Sequence, residues 1–291
     1  MSNIIGSIGL GTMGGSYASH LLKNGYEVYG LDPNHKSSNE FILKGGKILF
    51  NINDLITKSD VIILSLPTIP IFKSVIIDIE ENYVRSNSKI LIDMNTISFE
   101  DKLEAKIVLD RLNIDMIDAP VSGTGAQAKT KDLVVMSSGL EENINSCQDI
   151  FLSFARQNIY VGEFGNGIKF KLLANLLVTV HNTVTAEALL LGQKVGLNEN
   201  KIYEVLNAGA ASSVMLDKRM PLMIKKNYEP ATASMTIFLK DIEVIRQFIK
   251  SNNVISPTFE AAAKVYDDAK LNLPMTYDTA AVFEQLKLNN K

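Results

Sequence analysis

The 291-residue chain is 46% hydrophobic and 21% charged, a balance that excludes disordered, collagen-like and disulfide-framework classes. Its 29 basic and 32 acidic side chains leave a net charge of −3. That lacks the basic surplus exploited in nucleic-acid binding through counterion release. The single cysteine, Cys147, forms no internal disulfide, which fits a reducing compartment.

Residues 1–6 carry neither a basic stretch nor a long apolar one, so no secretory signal is expected. The longest uncharged, apolar-leaning run, 172–186, contains Asn175, Thr179, His181, Asn182, Thr183 and Thr185, too short and too polar to span a bilayer. A cytoplasmic chain with no membrane partner is the expectation.

Residues 4–8 read as a strand and 13–24 as a helix stopped by Gly25. Residues 28–32 and the fully apolar 61–66, ending at Pro67, read as strands, as do 89–93 and 114–117. Between the last two, 99–112 has helical spacing of Leu103, Ile107 and Val108. Residues 133–138 and 159–161 add further strands. This alternation predicts an α/β, doubly wound parallel sheet with helices on both faces. After Gly167 the texture changes. Residues 168–195 predict one helix, roughly 40 Å long, and 201–207, 234–250, 258–270 and 276–287 are also helical in spacing. The expected organisation is a dinucleotide-binding domain over 1–163 and an all-α substrate and oligomerisation domain over 164–291.

Gly9-Leu10-Gly11-Thr12-Met13-Gly14 fits G-x-G-x-x-G, follows a predicted strand and opens a predicted helix, with Asp32 ending the next strand. That context is the one a dinucleotide fingerprint requires. Gly9 allows the tight turn, Gly11 admits the pyrophosphate against the backbone, and Gly14 packs helix on strand. The helix N-terminus attracts the phosphates. Asp32 accepts from ribose hydroxyls and repels a 2′-phosphate, favouring NAD over NADP, although His35 and Lys36 stand nearby to soften the preference.

Asp118-Ala119-Pro120-Val121-Ser122-Gly123 follows the 114–117 strand, where open α/β sheets bind ligands. Ser122 and Gly123 suit a carboxylate, and an ordinary Ser-Gly turn is the equal alternative. Further on, Lys171 and Asn175 are four apart, on one helix face, flanked by Leu172, Leu173, Leu176 and Leu177. A desolvated lysine there would serve proton transfer; a lysine snorkelling to solvent is the competing reading. Lys169 falls on a different face and is assigned no role. No metal-ligand spacing is present.

Taken together, these motifs resemble the β-hydroxyacid dehydrogenase family, over essentially the whole chain. The opening glycine loop (Gly9, Leu10, Gly11, Thr12, Met13) looks like the family's cofactor loop. Asp118 to Gly123 looks like its substrate motif, Gly165-x-Gly167-x-x-x-Lys171-x-x-x-Asn175 its catalytic helix, and Lys240-Asp241 its late Lys-Asp motif. The resemblance implies a Rossmann-like first domain and an NAD-dependent dehydrogenase of a small hydroxy acid or semialdehyde, with NADP the lesser cofactor. It also implies a homodimer or homotetramer. Lys171 would be the acid/base, Asn175 would hold the substrate, and Ser122 with Gly123 would bind its carboxylate end. Leu66, Pro67, Thr96 and Lys240 would contact the cofactor.

Thr124 replaces the family's usual second glycine and adds a hydroxyl to the substrate-binding set. Asn227 to Pro230 and Ile237 to Asp241 resemble the threonate dehydrogenase branch, beside the 3-hydroxyisobutyrate and tartronate semialdehyde types. The competing readings are an imine reductase, against which Lys171 argues, and a noncatalytic dinucleotide-sensing module, against which Lys171, Asn175 and Ser122 argue.

Overall fold

The computed structural model describes residues 4–84 and 88–290. The chain divides into two compact units, 1–171 and 172–291.

In the first unit the elements run β1 (Ile4–Ile8), α1 (Gly14–Lys23), β2 (Glu27–Leu31), α2 (His35–Leu43), β3 (Lys47–Ile48), α3 (Ile52–Lys58), β4 (Val61–Leu64), α4 (Ile69–Asn82), β5 (Lys89–Asp93), α5 (Phe99–Arg111) and β6 (Ile114–Asp118). Among the described residues these strands form a six-stranded sheet in the order β3-β2-β1-β4-β5-β6, parallel throughout. Successive side chains point to opposite faces, and both faces are apolar. Ile5, Ile63 and Ile92 join Tyr17, Leu21, Phe151 and Phe154 in one core. Ile8, Ile62, Leu64 and Leu91 join Leu55, Phe72, Ile79 and Leu109 in the other. That two-sided burial is why β4 reads VIIL without alternation. The sheet is the doubly wound, Rossmann-like arrangement expected from the sequence.

The strands expected at 133–138 and 159–161 do form, but not in that sheet. After β7 (Val121–Ser122) and α6 (Gly125–Lys129) come β8 (Val134–Ser137), α7 (Glu141–Ser146), α8 (Gln148–Phe154) and β9 (Gln157–Tyr160). β7, β8 and β9 make a separate three-stranded sheet. A second correction concerns α5. Its sequence pattern puts Leu103, Ile107 and Val108 inward, yet Leu103 and Ile107 are exposed while Lys102, Ala105 and Leu109 are buried. The helix turns inward the face that carries an ammonium, because two buried carboxylates require one there.

Past β9 the described residues hold helices: α9 (Asn166–Lys194), α10 (Glu199–Ala208), α11 (Val214–Lys225), α12 (Met235–Ser251), α13 (Pro257–Asn272), a short 3-10 turn (Thr279–Ala281) and α14 (Val282–Asn289). The division between units falls within α9. The second unit's core gathers Met220, Met235, Phe238, Phe259, Tyr266 and Phe283, with the Phe238 and Tyr266 rings 5.2 Å apart. The helix expected over 276–287 begins only at the 3-10 turn. Asp278 is withdrawn to receive Arg219 Nη1 at 2.7 Å and the backbone N–H of Thr232 and Ala233. No helix among the described residues is long and apolar enough to cross a membrane.

Candidate active site

Strand order reverses between β1 and β4, and ligands of open α/β sheets bind outside the strand ends at such a point. The glycine loop and the Leu66–Pro67 segment lie at those two ends. Gly9 has φ +90°, and a Cβ there would lie 2.2 Å from the Ser65 carbonyl oxygen. Only glycine turns the chain so close to β4. Gly11 has no neighbour within 4 Å of such an added carbon, so the backbone is open where a pyrophosphate approaches. Thr12 is exposed and receives the Ser16 hydroxyl at its carbonyl, and the Met13 carbonyl receives the Tyr17 N–H in the first turn of α1.

Asp32, just past β2, accepts the Leu10 N–H at 2.6 Å through one oxygen and the Asn34 N–H at 2.7 Å through the other. Its carboxylate therefore fastens the glycine loop while holding a negative charge beside it. The Asn34 side chain accepts from the N–H groups of Lys36 and Ser37, which uses amides at the α2 N-terminus that a 2′-phosphate would otherwise find. An open Gly11, a helix N-terminus and a fixed carboxylate just past β2 fit a bound dinucleotide.

A buried ion triad lies under the strand ends. Asp93 and Asp118 are partners in register at the carboxyl ends of β5 and β6, and both are buried. Lys102 Nζ donates to Asp93 Oδ2 at 2.5 Å and to Asp118 Oδ1 at 2.8 Å. Burial disfavours the Lys102 charge, but attraction and hydrogen bonds from Asp118 and Asp93 outweigh it and hold the ammonium above the usual lysine value. The other oxygens look outward. Asp93 Oδ1 accepts from Asn95 backbone N–H at 3.1 Å and Nδ2 at 2.5 Å, and Asn95 Oδ1 accepts the Leu66 N–H at 2.5 Å. Asp118 Oδ2 accepts the Ile168 N–H at 2.8 Å and the Ser138 hydroxyl at 3.1 Å, while Ser138 Oγ accepts the Gly167 N–H at 2.9 Å. Two amides of the α9 N-terminus, its positive end, thus rest on a carboxylate and on the hydroxyl bound to it.

Lys171 stands three residues beyond Ile168, still in the first unit. It is half-buried; of the four flanking leucines Leu172 is buried, Leu176 half-buried, and Leu173 and Leu177 exposed, so the expected desolvated flank forms on one side only. Lys169 Nζ lies 5.1 Å from the Phe99 ring centroid and donates to Asn166, which occupies it away from chemistry. Ser122 ends β7 and is exposed, with Gly123 next. Thr124 is the N-cap residue of α6, and its N–H and hydroxyl both donate to Gln127 Oε1. Thr96 follows β5 at the sheet's carboxyl edge, half-buried.

In the second unit, Asn175 is buried on α9 and donates Nδ2 to Asp241 Oδ2 at 2.9 Å. Lys240 Nζ lies 3.0 Å from the other Asp241 oxygen. The late Lys-Asp pair and Asn175 therefore form one cluster.

Comparison with known proteins matches two family models. The NAD binding domain of 6-phosphogluconate dehydrogenase covers residues 4–162. The NAD-binding domain of NADP-dependent 3-hydroxyisobutyrate dehydrogenase covers 165–286. The chain belongs to the β-hydroxyacid dehydrogenase family. The chain is 30% identical to the oxidoreductase YkwC of Bacillus subtilis over 92% of its own length and 93% of that protein. It is 28% identical to the L-threonate dehydrogenase of Cupriavidus necator, covering 91% and 90% of the two chains. The structure of Mycobacterium tuberculosis 3-hydroxyisobutyrate dehydrogenase with L-serine shares its fold, at a TM-score of 0.89 and 23% identity, over 99% of this chain and 100% of that one. As a member of that family the chain is an NAD-dependent oxidoreductase whose chemistry is hydride transfer on a small hydroxy acid.

Sequence reasoning missed Asp93, Asn95, Lys102 and Ser138, and gave Asp118 no role of its own. One signal was present: β5 and β6 read KILID and IDMID, each closing an apolar strand with a carboxylate. Two such residues on neighbouring buried strands call for a cation.

Proposed function

We propose that this chain oxidises or reduces a small hydroxy acid, with Lys171 exchanging the hydroxyl proton and Asn175 holding the substrate. Ser122, Gly123 and Thr124 bind the substrate's carboxylate end. The cofactor is held by Gly9, Leu10, Gly11, Thr12, Met13, Asp32, Leu66, Pro67, Thr96 and Lys240, within a dinucleotide-binding domain over 1–163 and a helical domain over 164–291. The observation that carries this reading is the pinning of the first turn of α9 by Asp118 and Ser138, which fixes the base of the turn that bears Lys171.

When bound, NAD supplies the hydride acceptor. An alcohol gives up a hydride only as its hydroxyl proton departs, so a basic group is needed at that oxygen. Lys171 takes that proton in oxidation and returns it in reduction, while its charged form stabilises alkoxide character between the two. Asn175, with Nδ2 committed to Asp241, keeps Oδ1 to accept from a hydroxyl. Thr124 is turned into the α6 cap, with its N–H and hydroxyl both on Gln127 Oε1, so it reaches the carboxylate only by giving up one of those bonds. The substrate is of the 3-hydroxyisobutyrate, tartronate semialdehyde/glycerate or threonate type. Similarity to the Cupriavidus threonate dehydrogenase supports that class.

NAD is preferred over NADP because Asp32 and the occupied α2 amides leave a 2′-phosphate facing negative charge. The chain works in the cytoplasm as a homodimer or homotetramer. Exposed Leu173, Leu177, Val184 and Leu191 on α9 support self-association. The deciding experiment is a screen of L-threonate, 3-hydroxyisobutyrate and glycerate for NADH formation, with sedimentation for the assembly. NADH binding without turnover of any of them would defeat the reading.

A further inference from the structure

Lys102 is wholly buried, so it touches neither substrate nor cofactor, and its place in the family chemistry is not among the roles above. Yet, beside the β5–β6 backbone ladder, its side chain joins the two segments on which those roles depend. Each carboxylate of the triad is used twice. Asp93 gives one oxygen to Lys102 and the other to Asn95, which receives the Leu66 N–H. Asp118 gives one oxygen to Lys102 and the other to the Ile168 N–H and the Ser138 hydroxyl. A carboxylate with one oxygen fixed has its second oxygen fixed as well, since the group is planar and rigid. The ammonium therefore sets the direction in which both outward oxygens point.

We propose that Lys102 is a positioning residue, whose ammonium aligns Asp93 and Asp118 so that the Leu66 segment and the first turn of α9 are held in register with one another. Without it, two register-paired carboxylates face each other across β5 and β6 in a water-free site. Their repulsion then rotates them apart, which withdraws an acceptor from Asn95 or from Ile168. Cofactor binding depends on the first branch and Lys171 on the second. A single buried lysine on α5 thereby couples nucleotide affinity to turnover. The proposal rests on the roles given above to Leu66 and Lys171.

Lys102→Met alone leaves an uncompensated pair of carboxylates and risks the fold. The decisive variant is the double substitution Lys102→Met with Asp93→Asn in the full chain. It preserves volume and the net charge of the triad, keeps an acceptor for Asn95, and removes the bridge. Three readouts are taken: amide hydrogen exchange of peptides covering 64–68 and 166–171, NADH affinity from the fluorescence of bound NADH, and thermal unfolding. The expected result is exchange faster by about tenfold or more at both segments and NADH binding weaker by about tenfold, on the scale of one lost charge-assisted hydrogen bond. Exchange elsewhere in the first unit stays as in the unmodified chain.

Unchanged exchange at either segment, or NADH affinity within about twofold of the parent, overturns the proposal. So does a uniform rise in exchange across the unit, which is the signature of a merely structural lysine. Should the double variant not fold, Lys102→Gln with Asp93→Asn keeps the triad's net charge and a polar group in the site, and is read at the same two peptides by the same criterion. None of these readouts needs a turned-over substrate. Failure of the hydroxy-acid reading therefore shows as absent turnover in the unmodified chain, while failure here shows as rigid peptides in the variant.

Discussion

Asn175 donates its side-chain amide to Asp241, and that bond decides which way the amide faces. A carboxylate only accepts, so Nδ2 must point to Asp241 and Oδ1 must point elsewhere. With Lys240 beside the second Asp241 oxygen, one carboxylate orients both a substrate residue and a cofactor residue of the proposed site. Asp241→Asn keeps the shape and removes the charge. The loss of a charge-assisted hydrogen bond, about 1.5–3 kcal/mol, is expected to lower kcat/KM for the hydroxy acid by roughly ten- to a hundredfold. Steady-state kinetics check it, and unchanged kcat/KM would show that Asn175 needs no orienting partner.

The proposed site gives Asp32 the choice of cofactor. Its carboxylate holds the Leu10 and Asn34 N–H groups, and in that reading it repels a 2′-phosphate. Asp32→Ala is expected to weaken NAD by about 1.5–3 kcal/mol and NADP by less, narrowing the preference. Titration of both reduced cofactors by fluorescence measures it. A parent protein that uses NADP with equal or better kcat/KM refutes the assignment.

Much of this fold was readable because its signals are local. The bounds of β1 and β5 follow from short apolar runs with charged or glycine flanks, and the glycine loop from its place between strand and helix. Lys102 was not readable, because Leu103, Ile107 and Val108 make a competing helical stripe and only the Asp93–Asp118 pairing says which face turns in. The same holds for Asp118. Its motif directs attention to Ser122 and Gly123, while the carboxylate itself turns inward to the start of α9. α11 lacks a signal of that kind, since Pro221 interrupts its pattern. Long-range partners, not spacing, fix all three.

Gly167 tests the seating of α9. A Cβ there would lie 2.5 Å from the Met136 carbonyl oxygen, 2.8 Å from that of Asp118 and 2.9 Å from Asp118 Oδ2. Two of these are backbone oxygens and the third is a buried carboxylate oxygen held by Ile168 and Ser138, so the helix start must move. Gly167→Ala is expected to cost about 1–3 kcal/mol of stability and to lower kcat more than it weakens NADH. Thermal melts paired with kinetics report both, and a variant with parental Tm and kcat would show the close approach to be dispensable.

Cys147 is fully buried, and burial pushes its thiol up to about 11, against a hydrogen bond with Ser146 that acts the other way. A thiol whose value rises on folding contributes stability that is complete below its unfolded value of 9.0 and is lost as pH climbs toward about 11. Unfolding free energy is therefore expected to decline across that window by an amount on the order of 2–3 kcal/mol. The chain has no other cysteine, so iodoacetamide reads it alone. Labelling at mildly alkaline pH should be slow in the native protein and fast in denaturant. Rapid native labelling would contradict both the burial and the shift.

The sharpest prediction separates two lysines on one helix. Lys171 stands one turn before Asn175, on a turn whose base is tied to Asp118 and Ser138. Lys169, two residues earlier, is spent on the Phe99 ring and on Asn166. The two differ in face and not in chemistry, so equal substitutions isolate position. Lys171→Met removes the proton carrier while leaving the glycine loop, Asp32 and the Leu66 segment untouched. NADH affinity is therefore expected to stay near its parental value while kcat falls by about 10²–10⁴. If the lost group acts on the reacting oxygen as proposed, kcat and kcat/KM should fall together. Lys169→Met breaks only a cation–π contact and one side-chain hydrogen bond at the helix start, and should leave kcat within about threefold of the parent, consistent with less than roughly 1 kcal/mol. Equal losses from the two substitutions, or near-parental turnover in Lys171→Met, would mean that the proton moves through another group and that Lys171 simply reaches solvent.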